Sequence, residues 1–157
     1  MDKIPMTPEG HSALKDELRQ LVEVERPKVS KEIGVAREHG DLRENAEYHA
    51  AKDKQGLIEA RVAEIEDKLS RAEVIDTSLL SGEVVRFGAI VALEESDSGK
   101  AVEYRIVGPD ESDIRGGSIS VSSPLARAII GKRAGEEVEV QAPGGKRFYE
   151  ITAVRWR

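Results

Sequence analysis

The chain has 157 residues, no cysteine, 39% hydrophobic and 34% charged residues, and a formal net charge of −6. That length holds one domain of common size or two small ones, and the missing cysteines exclude a disulfide framework, thiol chemistry and a cysteine zinc site. The acidic balance excludes a protein that coats nucleic acid through a broad basic face, because such binders displace counterions from many phosphates at once.

The first residues, Met1 to Pro8, lack the apolar core of a signal peptide. No later run approaches the roughly 20 apolar residues that span a bilayer, so a cytoplasmic chain with no membrane association is expected. From Thr7 the pattern turns helical. Thr7 suits an N-cap and Pro8 the first helical position, and Leu14, Leu18, Leu21, Val22, Val29, Ile33 and Ala36 recur at steps of three and four. Pro27 interrupts this stripe, since it offers no amide hydrogen and clashes with the carbonyl one turn back, so a kink or short break is expected near Arg26. Beyond Gly40 a second stripe runs through Ala51, Gln55, Ile58, Val62, Ile65, Leu69 and Ala72, an a/d seam broken in apolar character only at Gln55. Two such helices joined by so few residues must pack antiparallel. At 1.5 Å per residue their arms make a rod on the order of 40 Å long.

Past Ile75 the period shortens. Val84 to Phe87, Ala89 to Leu93, Val102 to Val107, Ser118 to Val121, Val138 to Val140 and Tyr149 to Val154 are short β-branched runs, several alternating apolar with polar as half-buried antiparallel strands do. Pro143 to Lys146 reads as a tight hairpin turn. Ser123 to Gly131 reads as one short helix, with a serine cap, proline at its first position and glycine to close. The expected fold class is α+β: a helical hairpin over 1–75, a joint at 76–82 and an antiparallel-sheet domain with one short helix over 83–157. Lysines and arginines number 13 against 17 acids before Asp76 and 11 against 13 from Asp76 onward, so neither half is a basic module.

The residues at the far end of the hairpin, near 40–48, admit two readings. Asp41-Leu42-Arg43-Glu44 has the spacing of a capping box, in which Asp41 accepts from the amide of Glu44 and Glu44 reaches back. Spacing alone favours that structural role. The other reading starts from position: carboxylates at the end of a thin rod reach into a channel closed to a globular protein and complete a metal site that a partner leaves open, since Mg²⁺ is often held by one or two protein carboxylates. His39 and His49 belong to no His-Glu-x-x-His pair and read as helix-surface residues. Arg37, Arg43, Lys52 and Lys54 bring positive charge to the same end, as solvated helix faces often do. Tyr48 reads as packing across the turn. No Walker-type loop, dinucleotide fingerprint or nucleophile elbow is present.

Gly40-Asp41-Leu42-Arg43-Glu44-Asn45-Ala46-Glu47-Tyr48 resembles the signature of the Gre family of bacterial transcript cleavage factors. The run from Ser118 to Lys132 resembles that family's C-terminal signature, and the order and separation of the two also fit. The resemblance spans essentially the whole chain. It implies an N-terminal coiled-coil hairpin and an FKBP-like domain that docks on RNA polymerase at the mouth of its secondary channel. The hairpin would reach the active centre and stimulate the polymerase's own cleavage of backtracked RNA 3′ ends, so the factor itself would be no enzyme and carry no cofactor of its own. Asp41 and Glu44 would help hold the second Mg²⁺ of the polymerase and orient the attacking water. Arg37 and Lys52 would steer the extruded nascent RNA, and Ser122, Ser123 and Pro124 would lie in the loop that contacts polymerase. The modest basic content suits the branch of the family that acts on short extruded ends, and a free tip is easiest to supply from a monomer. The alternatives are a channel-binding regulator that docks without stimulating cleavage and, taking the second domain literally, a prolyl isomerase. Against the first stands the intact acidic tip, and against the second the few aromatics of that half.

Overall fold

A computed structural model describes residues 2–41 and 44–157. Leu42 and Arg43 lie outside the described residues, and with them Arg43's expected contribution to the basic tip. The described chain divides into two units, one of His11–Arg71 and one that joins Asp2–Gly10 to Ala72–Arg157.

Thr7 and Pro8 start the first helix as their chemistry requires. The Thr7 hydroxyl accepts from the Gly10 amide at 3.1 Å, and α1 runs over Pro8–Gln20. The break expected at Pro27 takes a specific form: Leu21–Glu25 winds as a π-helix, with the Arg26 amide donating to the Leu21 carbonyl, before α2 covers Arg26–Arg37. Pro27 cannot donate to Glu23, so a wider turn absorbs the missing bond without ending the helix. α3 covers Ala46–Ser70. Val29, Ile58 and Val62 form the centre of the helical core, with Leu18, Leu21 and Val22 against it. Ile33, Ala36, Ala51 and Ile65 are buried along the same seam. Each Val or Ile so buried contributes roughly 1.5–3 kcal/mol, while Gln55 stays half-buried, as its polar amide demands.

Ion pairs fix the direction of the hairpin. Glu32 meets Lys54 at 3.7 Å, Arg26 grips Glu59 at 2.8 and 2.9 Å, and Arg61 grips Glu17 at 2.7 and 2.8 Å. As the residue number falls on one side it rises on α3, which makes the packing antiparallel. The helical run ends at Ser70, two residues before the seam's last expected member. Ala72 instead opens a strand.

That strand, β2 (Ala72–Val74), pairs in parallel with β1 (Ile4–Met6), Ile4 opposite Ala72 and Met6 opposite Val74. Neither strand is visible in the hydrophobic pattern, since each has three residues. The N-terminal residues are fixed to the sheet unit by buried contacts: Met6 and Thr7 are buried, and the Glu111 carboxylate accepts from the Thr7 amide at 3.0 Å, the Thr7 hydroxyl, and the Gly108 amide at 2.9 Å.

The main sheet has five strands, β3 (Ile90–Glu95), β4 (Ala101–Val107), β5 (Ser118–Ser120), β6 (Glu137–Ala142) and β7 (Gly145–Arg155), in the order β5-β4-β3-β7-β6. Ala142 pairs with Gly145, so Pro143 and Gly144 form the expected two-residue turn. The pairing is antiparallel except at one edge, where β5 runs parallel to β4 because residues 108–117 carry the chain back along the sheet. Val91, Leu93, Ile106, Ile119, Val138, Val140 and Ile151 pack on one face against Ala126 and Ile129 of the single short helix, α4 (Pro124–Ile129). Val84 to Phe87, expected as a strand, makes only an isolated bridge from Val84 to Arg133. Val85 is spent on the loop at Gly131 and Lys132, and the left-handed Gly88, at φ 89°, turns the chain before β3.

Candidate functional site

At the end of α2 the amides of Glu38 and His39 donate to Val35 and Ala36, both at 3.1 Å, tightening the last turn. Gly40 follows at φ 117°, a conformation that a side chain would strain. On the far side Asn45, at φ −85° and ψ 96°, is the N-cap of α3. Its Oδ1 accepts from the Tyr48 amide at 3.0 Å, while its Nδ2 donates to the Ala36 carbonyl at 2.6 Å. One side chain thus starts α3 and ties it to the end of α2.

This corrects the capping-box reading. The helix begins at Ala46, not beside Asp41, because Asn45 holds the cap position that Asp41 would have needed. Asp41 and Glu44 are exposed on the connecting segment, and both border one shallow depression, together with His39, Asn45, Ala46 and Glu47. The α3 N-terminus adjoins this depression, and its partial positive charge favours carboxylates nearby. Among the described residues no three Asp, Glu or His side chains converge to enclose a metal ion. Two open carboxylates are hard oxygen donors that fit Mg²⁺ when most of its shell comes from elsewhere.

Arg37 and Lys52 lie outside that depression. Arg37, at the last position of α2, places its guanidinium 5.9 Å from the centre of the Tyr48 ring, within cation–π range. Tyr48 also meets His49 edge to face at 5.6 Å, so Tyr48 does pack at the turn. Lys52 is exposed on α3 and bonds Gln55 at 3.1 Å.

At the second motif, Ser123 caps α4 by accepting from the Ala126 amide at 3.2 Å, and Pro124 takes the first turn. Ser122 is exposed and shares a hydrogen bond with the Ser120 hydroxyl at 2.8 Å. All three residues therefore have structural work, and Ser122 and Pro124 also face solvent.

The family models match the chain almost from end to end: residues 4–74 match the N-terminal model of transcription elongation factors, and residues 80–155 match the GreA/GreB C-terminal model. The chain belongs to the GreA/GreB family of transcription elongation factors. Among its relatives, the transcription elongation factor GreA of Phenylobacterium zucineum is 58% identical over 156 residues, covering 99% of each chain. The GreA of Rhodospirillum rubrum is 55% identical, again over 99% of each. A solved structure of GreA factor homolog 1 from Thermus thermophilus is 30% identical, covering 98% of this chain and 99% of its own, with a TM-score of 0.44. At that overlap it adds nothing to the assignment.

Within this GreA/GreB chain, Asn45 is the tip residue whose role sequence reasoning missed. The signal was available: an asparagine directly before a helical run is among the strongest N-caps, but the Asp41/Glu44 spacing drew the cap four residues too early.

Proposed function

We propose that this GreA/GreB protein binds bacterial RNA polymerase, enters its secondary channel with the acidic end of the hairpin, and stimulates the polymerase's own cleavage of backtracked RNA 3′ ends. The observation that carries this reading is the place of Asp41 and Glu44: exposed around one depression, ahead of the Asn45 cap. Starting α3 does not require them.

In the complex, Asp41 and Glu44 offer carboxylate oxygens to the second Mg²⁺ of the polymerase and hold the attacking water in line. When bound there, the ion neutralises charge at the scissile phosphodiester and lowers the pKa of coordinated water. Arg37, braced on Tyr48, presents positive charge to the phosphates of the extruded RNA, with Lys52 one turn further along α3. Ser122, Ser123 and Pro124 form the polymerase-facing loop of the sheet unit. The depression at Asp41 and Glu44 is open to water, which supports a reading in which the polymerase supplies the enclosed active centre and this chain acts as an accessory factor.

The test is cleavage of 3′-labelled RNA in a defined backtracked elongation complex, with no factor, with this protein, and with Asp41→Ala and Glu44→Ala at saturating concentration. We expect rapid release of short 3′ fragments that both variants fail to support while keeping polymerase affinity and thermal stability. Binding without stimulation by the unaltered chain would instead make it a regulator that occupies the channel.

A further inference from the structure

Side chains alternate between the two faces of a strand, so the face carrying Val91, Leu93 and Ile106 against α4 leaves Ile90, Glu103, Arg105 and Arg155 on the opposite face. Register aligns them. Ile90 of β3 pairs with Arg105 of β4 on one side and with Arg155 of β7 on the other, which sets two guanidiniums on one row of the sheet. These residues, with Arg157 and the backbone of Gly116 and Gly117, line a small, half-open polar cavity of about 150 Å³. A cavity of this size holds a ligand no larger than benzene.

More guanidiniums than side-chain carboxylates line this cavity. Arg155 is committed to Glu103 through contacts of 2.6 and 3.4 Å. Arg105 is the most poorly served: its side chain is only 11% exposed, yet its nearest carboxylate, Glu9, stands at 3.7 Å. One terminal nitrogen donates to the Thr77 hydroxyl at 3.3 Å, and among the described residues its Nε is buried with no hydrogen-bond partner. Arg157 adds a third guanidinium at the rim. Of the side chains that line the cavity three are guanidiniums and one, Glu103, is a carboxylate, while Glu9 reaches Arg105 from outside the lining. A buried cation with an unused donor is costly unless an anion meets it. The main chain does not supply the remaining contacts, since the Gly116 amide donates to Asp113 at 3.2 Å and the Gly117 amide to Ile114 at 3.1 Å.

We propose that this cavity is a binding site for a phosphate group, held by Arg105 and Arg157 with Arg155 alongside. A tetrahedral oxyanion fits better than a carboxylate because its oxygens can accept from more than two guanidiniums at once, and arginine forks match phosphate geometry. The volume admits the phosphate and leaves any attached nucleoside outside. The phosphate is either the free anion or the terminal group of a nucleotide. This site lies on the sheet unit and does not depend on the reading given for Asp41 and Glu44.

Isothermal titration calorimetry on the full chain tests it at constant ionic strength, with inorganic phosphate, adenosine 5′-monophosphate and acetate as separate titrants. We expect saturable binding of one phosphate per chain, weakened about tenfold or more in Arg105→Gln and in Arg157→Ala, the scale of one lost charge-assisted hydrogen bond. Arg157 is exposed, so Arg157→Ala remains informative where Arg105→Gln fails to fold, with circular dichroism confirming its structure. Tighter binding of inorganic phosphate assigns the site to the free anion; equal or tighter binding of the monophosphate assigns it to a nucleotide. Absence of saturable heat with both, acetate binding as tightly as phosphate, or a folded Arg157→Ala with unchanged affinity would each overturn the proposal.

Discussion

Asn45 serves two helices through the two ends of one amide, and its neighbours show how such a position is separated from a functional one. Its oxygen caps α3 and its nitrogen reaches the last buried turn of α2. Asn45→Ala removes both bonds and is expected to cost about 1–2 kcal/mol, the upper part of the range for a lost cap. Asn45→Asp keeps the acceptor and loses the donor to Ala36, so it should recover most of the cap while still falling short of the native residue. Urea unfolding of the three proteins checks the order, and hydrogen exchange at the Tyr48 amide locates it. If alanine and asparagine prove equal, the cap assignment is wrong and Asp41 regains its claim to that role.

Gly56 lies within α3, and a methyl group built there meets nothing within 4 Å. Gly56→Ala should therefore stabilise the protein by roughly 0.5–1 kcal/mol, since glycine loses more backbone freedom in a helix than alanine does. A fall in melting temperature would mean that this face is covered. Between helices, the hydrogen bonds from Arg61 hold the Glu17 carboxyl below the ordinary value of 4.5, against a smaller opposing effect of burial, and the Arg61 charge adds to the lowering. A carboxyl with a lowered folded pKa stabilises the fold above its unfolded pKa, and that contribution disappears as pH falls through the folded value. Acid below about pH 4.5 should thus weaken the packing of α3 on α1, and Glu17→Gln should flatten the dependence of melting temperature on pH in that window. Parallel profiles for the two proteins would show that the pair contributes nothing measurable, as many exposed pairs do.

For the whole molecule, the sheet unit is assembled from both ends of the hairpin sequence, and this decides where the chain can be cut. A chain of residues 72–157 alone lacks β1 and both Thr7 donors, leaving Glu111 with the Gly108 amide. It should melt well below the same chain with residues 2–10 restored through a flexible tether, by about 2–4 kcal/mol for the two charge-assisted bonds and the buried Met6. Equal melting temperatures would mean that the N-terminal residues only rest on the unit. Features that rest on local chemistry and period were legible in the residues: the Thr7-Pro8 start, the helical seams, the interruption at Pro27, the turn at Pro143 and Gly144, the Ser123 cap, and a motif specific enough to point to the family. Each is written in residues that are neighbours or one turn apart. Folding was needed to show which short strand pairs with which, that β5 runs parallel to β4, that Asn45 caps α3 in place of Asp41, and that Arg105, Arg155 and Arg157 line one cavity. Those outcomes rest on pairings between residues distant in sequence, or on competition between adjacent candidates for one hydrogen bond, and neither leaves a periodic trace in the chain.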